Sequence, residues 1–431
     1  MTTPPTSFET HFGPEDTQYP HWMRTIAIFL TGQTLSLFGS AVVGYAVIWY
    51  VTLKTGSGWQ YALLFIASQL ALAITTIPGG VWADRYSRKA LMIGADLFVA
   101  LWTVVLAFVL LSGYDKLWII ASVLCLRGLA GGIQTPAVSA AIPQLVPPDK
   151  LLRVNSISAT LTGLTYIAGP AVGALLLVYI PLGYILFVDA FTALIGIGCV
   201  ALITIPKIKN AIAAPEGLKG YVTHMMEAGR YAMAIPPLRR LAILMLFMFV
   251  IVLAPANMSP VMVVRFFGPE EWMLAAVEMG WSIGMIVGGG ILAVWGGPKN
   301  RMTLALVTTA LWGVCSIGLG LSPNIWVFLA VMILFGITVP GFNIAGMTSV
   351  QELIPENLLG RTMGIINFML AMAVPIGMLI FGPLADIVDL RILCVVCGII
   401  GVIFVGITAL DRGPASQLYA PEPNPQDPAK P

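Results

Sequence analysis

Long apolar runs alternate with short polar connections along the whole chain. Runs of about twenty residues start near Trp22, Trp59, Lys89, Leu117, Arg153, Leu182, Arg239, Glu271, Arg301, Ile325, Gly360 and Arg391. About 20 mostly apolar residues cross the ~30 Å hydrocarbon core of a bilayer as a helix, so each run predicts a membrane span. The predicted class is therefore an all-α membrane protein with twelve transmembrane helices. Most connections hold about ten residues or fewer, so consecutive helices run antiparallel. An even count puts both termini on one side. Composition agrees: 58% hydrophobic residues over 431 exceed what one soluble core takes up, and 10% charged residues are few.

The scarce cations set the orientation. With the N-terminus inside, 17 of the 22 Lys and Arg fall on inner segments, leaving Lys54, Lys116, Arg265 and Arg391 outside and Arg127 within a span. Positive residues are retained on the cytoplasmic side, so both termini are expected there. The net charge of +2 then reflects topology and gives no reason to expect a nucleic-acid partner. Residues 1–21 have no basic region or small-residue cleavage site, so they are expected to remain as a cytoplasmic tail. The proline-rich "APEPNPQDPAKP" lies in a second tail, residues 412–431. Cys394 and Cys397 form a C-x-x-C pair inside an apolar run, where two inert buried thiols are expected rather than a metal or redox site.

The widest break, residues 206–238, divides a first bundle (22–205) from a second (239–411) and is predicted to form a cytoplasmic central loop. Within it, Leu218, Tyr221, Val222, Met225 and Met226 recur at helical spacing, predicting the apolar face of a surface helix. The two bundles read as copies. Leu145, Pro147, Leu151 and Arg153 in "QLVPPDKLLR" recur as Leu353, Pro355, Leu359 and Arg361 in "ELIPENLLGR", at a gapless offset of 208. Each copy precedes the fifth span of its half, the pattern of duplicated six-helix halves related by an axis along the membrane normal.

Charge is concentrated once, in "GGVWADRYSRKALMIGAD" between the second and third spans. Gly80, Asp84, Arg85, Arg88 and Lys89 there follow the motif G-x-x-x-D-R-x-G-R-K, with Ser87 replacing the second glycine. Arg127 and Gly131 match a second element in the fourth span, and Gly169, Pro170 and Gly173 match the antiporter motif G-P-x-x-G in the fifth. On these residues the chain resembles the major facilitator superfamily over about residues 22–412. The order "TGQTLSLFGSA", "DRYSRKALMIGADL" and "NLLGRTMG" resembles its macrolide-efflux branch of drug exporters. The resemblance implies two pseudo-symmetric six-helix bundles in the cell membrane of a bacterium, drug:proton antiport, no cofactor and no enzymatic activity. A monomer in the lipid bilayer is expected.

A carboxylate is favoured at a helix N-terminus, so Asp84 is expected to cap the inner end of the eleventh span near Gly360 while Arg85 and Arg88 pair with acids such as Asp96. Those contacts exist when the inner ends are together, which makes the cluster a latch on the outward-open state. Arg127 lies about ten residues into its span, near the midplane at ~1.5 Å per residue, so it needs a partner and a polar cavity. There it is expected to repel a cationic cargo.

No His lies in a span, so a coupling proton falls to carboxylates. The candidates are Asp96, Asp189 and Glu278, with Arg127 as the cation of the coupling set; Glu278 ranks first, and Asp189 has a second reading as a buried structural acid with a helix partner. Protons are the expected coupling ion, with sodium as the alternative. Gln33, Asn257, Asn343 and Asn367, with Tyr45, Trp49 and Trp281 as aromatic walls, are the candidate cargo contacts. Few polar groups among apolar walls suit a small-molecule amphipathic substrate. The expected function is export of hydrophobic, macrolide-like drugs; the alternative is transport of another amphiphile such as a siderophore or lysophospholipid. With no metal cluster, Ser/His pair or P-loop in the sequence, catalysis and direct ATP use are not expected.

Overall fold

The computed structural model describes residues 21–205, 217–296, 298 and 300–410. Six helices form the first half: α1 (Trp22–Thr55), α2 (Gly58–Arg85), α3 (Arg88–Leu111), α4 (Leu117–Leu145), α5 (Leu151–Tyr179) and α6 (Leu182–Leu202). A shorter helix, α7 (Gly217–Ala234), precedes the second half. That half holds α8 (Pro236–Phe266), α9 (Glu271–Trp295), α10 (Arg301–Leu321), α11 (Ile325–Leu353), α12 (Glu356–Ile387) and α13 (Leu390–Leu410). Apart from α7, these are 12 helices long and apolar enough to span a membrane, starting close to the predicted positions.

Local chemistry explains where the helices begin and end. The side chains of Ser57, Ser87, Asn300 and Asn324 accept hydrogen bonds from first-turn amides of α2, α3, α10 and α11, which have no intrahelical partner. Gly56 ends α1 at φ 58°, a left-handed conformation that an L side chain would strain. Leu145 and Leu353, the first residues of the 208-residue repeat, end α4 and α11. The prolines that follow, Pro147 and Pro355, have the same backbone angles, φ −57° and ψ 144°. The duplication read in the sequence is thus a duplication of local geometry.

The halves also repeat their packing. α2 lies along α4 as α9 lies along α11, and α3 along α6 as α10 along α13. Glycine makes the first of these seams close. Gly132 rests on the backbone of α2, and Gly284 and Gly288 on the carbonyls of Ile333 and Ile337 in α11; a Cβ at any of the three would overlap the neighbouring helix. α8 is the irregular span, with a wider π-turn at Phe249–Leu253 followed by Pro255 and Pro260.

Among the described residues, the buried core shared by the halves lies on one side. Trp49, Tyr61, Ala62, Ile66 and Ala174 of the first half share a core with residues of the second. All five lie toward the membrane face remote from the termini, the far face. Toward the terminus-bearing face the cores are separate: Ala83, Met92, Ile142 and Val154 in the first half, Leu238, Val350 and Ile354 in the second. The halves are therefore closed at the far face and parted at the other.

A polar clasp reinforces the closed side. Asp386, at the end of α12, accepts hydrogen bonds from the Ser57 hydroxyl (2.8 Å) and from the Gly58 (2.7 Å) and Trp59 (3.0 Å) amides that open α2. It also pairs with Arg265, which donates to the Gly56 carbonyl at 2.6 Å. On the same face, Asp115 of the α3–α4 turn takes Lys54 and the Tyr50 hydroxyl, and these bonds, Lys54's first, hold its carboxyl below the usual carboxylate range. A depressed carboxylate contributes fully at neutral pH, and its contribution is lost only as pH falls through the folded-state value.

α7 docks through positions that continue the face its apolar spacing predicts, with Met226 at the edge of that face left out. Ala228 and Ala232 are buried, Gly229 lies beside Ile365 of α12, and Met226 is exposed. The Leu218, Tyr221, Val222 and Met225 side chains lie outside the described residues.

Candidate functional site

The parted halves enclose a cavity of about 470 Å³. Phe65 and Gln69 of α2 form one side; Phe249, Leu253 and Asn257 of α8, Trp281 and Met285 of α9, Trp312 of α10, Val339 and Asn343 of α11, and Leu370, Ala371, Val374 and Pro375 of α12 form the rest. The wall is mostly apolar with three side-chain amides, and none of the described residues lining it is ionisable. The π-turn of α8 begins at Phe249 and ends at Leu253, both lining residues, so the wider turn lies at the cavity wall, a common setting for such bulges.

Behind this wall the aromatics lock together. Trp312 lies with its ring centroid 4.6 Å from Phe342 and 5.7 Å from Phe249, and Trp281 is edge-on to Phe335 at 5.2 Å. These offset and tilted contacts favour a fixed wall over a loose one.

Of the predicted cargo contacts, the structure brings Asn257, Trp281 and Asn343 together. The others are corrected. Trp49 is 1% exposed and packs against Tyr45 (5.4 Å) within the inter-half core, because the far ends of α1 and α2 form the seal. Gln33 has a buried amide nitrogen with no hydrogen-bond partner, and Asn367 is exposed on α12, one turn before Leu370. Neither lines the cavity. Gln69, Phe65, Phe249 and Trp312 were not legible as wall residues, although Gln69, a lone amide in an apolar run, carried a usable signal.

Glu278 lies one turn before Trp281 on α9, toward the sealed face. It is partly buried, on a helix that packs against α5 of the first half, and so lies on the element where the two halves meet. The Tyr61 hydroxyl donates to the Asn257 carbonyl at 2.8 Å, linking this region to the cavity wall.

Arg127 has the expected partner but not the expected setting. It pairs with Asp189 of α6 and donates to the Thr103 hydroxyl, and Asp189 also accepts from the hydroxyls of Ser40 (2.8 Å) and Thr103 (3.2 Å). The side chains are 9% and 0% exposed. Asp189 is fully enclosed and paired, and Arg127 is neutralised inside the first bundle and does not face the cavity. So enclosed and paired, it does not repel a cationic cargo.

Asp96 is likewise reassigned. It is 3% exposed and accepts from Ser36 (2.8 Å) and Gln134 (2.8 Å), with its second oxygen unpartnered. Arg88, its expected partner, bonds the Ala83 and Ala140 carbonyls and lies 3.9 Å from Asp84. Eight residues along a helix carry Asp96 about 12 Å from Arg88, into the bundle. Lys89 donates to the Ala201 and Ile203 carbonyls at the end of α6. Two of the motif's cations therefore tie α3 to neighbours in its own half. Asp84 remains three-quarters exposed, and a Cβ on Gly80 would meet nothing of a neighbouring helix within 4 Å. The antiporter motif is a packing seam: Gly169 rests on Ala41 and Gly173 on the Val42 carbonyl of α1, with Pro170 buried between them.

Comparison with known proteins agrees with this architecture. The model of the Major Facilitator Superfamily matches residues 29–378 and, in a second match, 272–430. The chain is 29% identical over 378 residues to Macrolide efflux protein A of Streptococcus pyogenes, covering 86% of this chain and 91% of that protein. It is 25% identical over 423 residues to the multidrug efflux pump Tap of Mycobacterium tuberculosis, covering 91% and 96%.

Among solved structures, a POT family transporter in complex with a thioalcohol conjugated peptide superposes with a TM-score of 0.71 at 12% identity, over 92% of this chain and 98% of that one. A bacterial homolog of the human lysosomal transporter Spinster, inward-facing and unoccupied, gives 0.65 at 14% identity, over 90% and 96%. At these identities the likeness is one of fold. Twelve apolar spans, a duplicated half and a family match across most of the chain lead to one assignment: the protein belongs to the Major Facilitator Superfamily and is a membrane transporter rather than an enzyme.

Proposed function

We propose that this transporter exports hydrophobic or amphipathic, macrolide-like molecules from the cytoplasm by alternating access coupled to proton antiport. The observation that carries the reading is the cavity between the halves, walled by aromatic and aliphatic side chains with Gln69, Asn257 and Asn343 as its polar groups. Such a surface rewards a large apolar body with a few acceptors or donors and offers little to a sugar or a small ion. The names of the sequence relatives support the same class. On this reading the terminus-bearing face is cytoplasmic, in agreement with the distribution of Lys and Arg, and the parted state receives cargo from the cell interior.

Glu278 is the proposed proton carrier. It sits between cavity and seal, where rearrangement of the halves changes its access to water. An ionised Glu278 pairs with a protonated amine on the cargo, and a proton replaces the cargo after release. Arg127 and Asp189 serve this indirectly, by holding α3, α4 and α6 in one rigid unit.

Expression in a drug-susceptible bacterial strain, with flux measured in everted vesicles, tests the reading. Drug accumulation should require the pH gradient, collapse with an uncoupler and persist without ATP at a maintained gradient. Trp281→Ala should weaken cargo binding by about fivefold to tenfold, the loss expected for one aromatic contact in a preformed wall. Flux of a siderophore or lysophospholipid with no drug flux would overturn the substrate assignment.

A further inference from the structure

One residue pattern is written on two helices that run in opposite directions. Gly58, Gly80, Ala83 and Asp84 of α2 recur as Gly360, Gly382, Ala385 and Asp386 of α12, at a gapless offset of 302. This is not the 208-residue tandem repeat. It relates the second span to the eleventh, which pack against each other across the halves. Because α2 starts at the far face and α12 at the terminus-bearing face, the two patterns point oppositely. They are related by an approximate two-fold axis in the membrane plane.

At the far face the α12 copy is engaged. Asp386 takes the opening amides of α2, groups that have no intrahelical partner and carry the positive end of the helix dipole. The fit beneath it is close: a Cβ on Gly58 would lie 2.7 Å from that of Ala385 and 3.0 Å from the Gly382 carbonyl. At the terminus-bearing face the α2 copy is disengaged, with Asp84 76% exposed and Gly80 facing open space.

We propose that α2 and α12 form one double-ended clasp for transport. The new element is the far-face end, where Asp386 on the N-terminus of α2 holds that face shut; the other end is the latch already expected of Asp84 on the N-terminus of α12, and the cycle exchanges one for the other. Arg265 is the positioning residue of the far-face end, because it joins Asp386 to the Gly56 and Ala385 carbonyls. The inference rests on the alternating-access reading above, but not on the identity of the cargo or the coupling ion.

The test is a pair of distance distributions measured by spin labelling on the full-length protein without cargo, in a background lacking the native cysteines. Tyr114→Cys with Pro323→Cys reports the far face, and Lys150→Cys with Glu352→Cys the other. Asp386→Asn should lengthen the far-face distance and shorten the other, shifting the closed-to-open ratio at the far face by about tenfold, the size of one lost charge-assisted hydrogen bond. Gly58→Ala, which alters no charge, should shift it in the same direction by wedging the seam. Asp84→Asn should shift both distances the opposite way.

The clasp is overturned if Asp84→Asn moves the distributions while Asp386→Asn and Gly58→Ala, each monodisperse by size exclusion, leave them at wild type. It is also overturned if Asp386→Asn and Asp84→Asn move them in the same direction. If none of the three variants moves either distribution, the clasp is overturned; alternating access fails only if the wild-type distances also stay in one state when cargo and a pH gradient are added. Failure of drug flux with the opposed shifts intact would instead count against the substrate assignment alone and support the clasp.

Discussion

Arg127→Ala is expected to destabilise the first bundle by roughly 3–5 kcal/mol, because it strands the Asp189 carboxylate, which is 0% exposed. Transport of cationic and neutral cargo should fall together, and the detergent-solubilised protein should lose its monodisperse state at a lower temperature. Asp189→Asn should also be strongly destabilising, because the amide still accepts from Ser40 and Thr103 but leaves the buried Arg127 guanidinium without its counter-charge. The double replacement Arg127→Met with Asp189→Leu should restore most of the stability, as exchanging a whole buried pair for apolar side chains is often neutral. Recovery of transport in the double variant would confirm that the pair works by holding α3, α4 and α6 together. A well-folded double variant without transport would assign Arg127 a direct part in coupling.

The second large effect is expected at Glu278. Glu278→Gln keeps the size and hydrogen-bonding groups of the side chain but removes the charge and the exchangeable proton. Gradient-driven accumulation of a cationic drug should disappear, and its affinity should fall by about tenfold to a hundredfold, the range for losing one charged hydrogen bond. Binding of a neutral analogue should change little. Acidifying the cavity side should weaken cationic binding in the wild-type protein, where a proton competes with the amine, and have no such effect in the variant. Equal loss of both cargoes would mark Glu278 as structural or as a proton carrier without cargo contact.

What the sequence revealed follows from what a bilayer demands. Every backbone amide in hydrocarbon must be bonded within its own helix, so span positions are written in simple apolar length, and the observed starts fall near the predicted ones. The duplication was legible because Pro147 and Pro355 impose the same turn. Which face of a span meets cargo was not legible. Lipid tails and neighbouring helices are both apolar, so periodicity does not separate Trp49, sealed between halves, from Trp281, on the cavity wall.

Charge pairing was half legible. The cost of a midplane Arg127 demanded a partner, and Asp189 is that partner, but sequence spacing gave no sign that the pair is enclosed. Arg265 and Asp386 were missed because one reads as a loop cation and the other as a helix-end acid. Comparing α2 with α12 would have found the shared G-x-x-A-D, whereas comparison of tandem halves sets α2 beside α9.

The central claim, exchange of cargo for protons through the cavity, is tested most directly in proteoliposomes holding a pH-sensitive dye and a cationic macrolide. With no other ion gradient imposed, dilution of cargo-loaded vesicles should drive proton uptake in step with drug release, and Glu278→Gln should release drug without moving protons. Drug release with no proton movement in the wild-type protein, or movement that follows a sodium gradient and ignores pH, would contradict it.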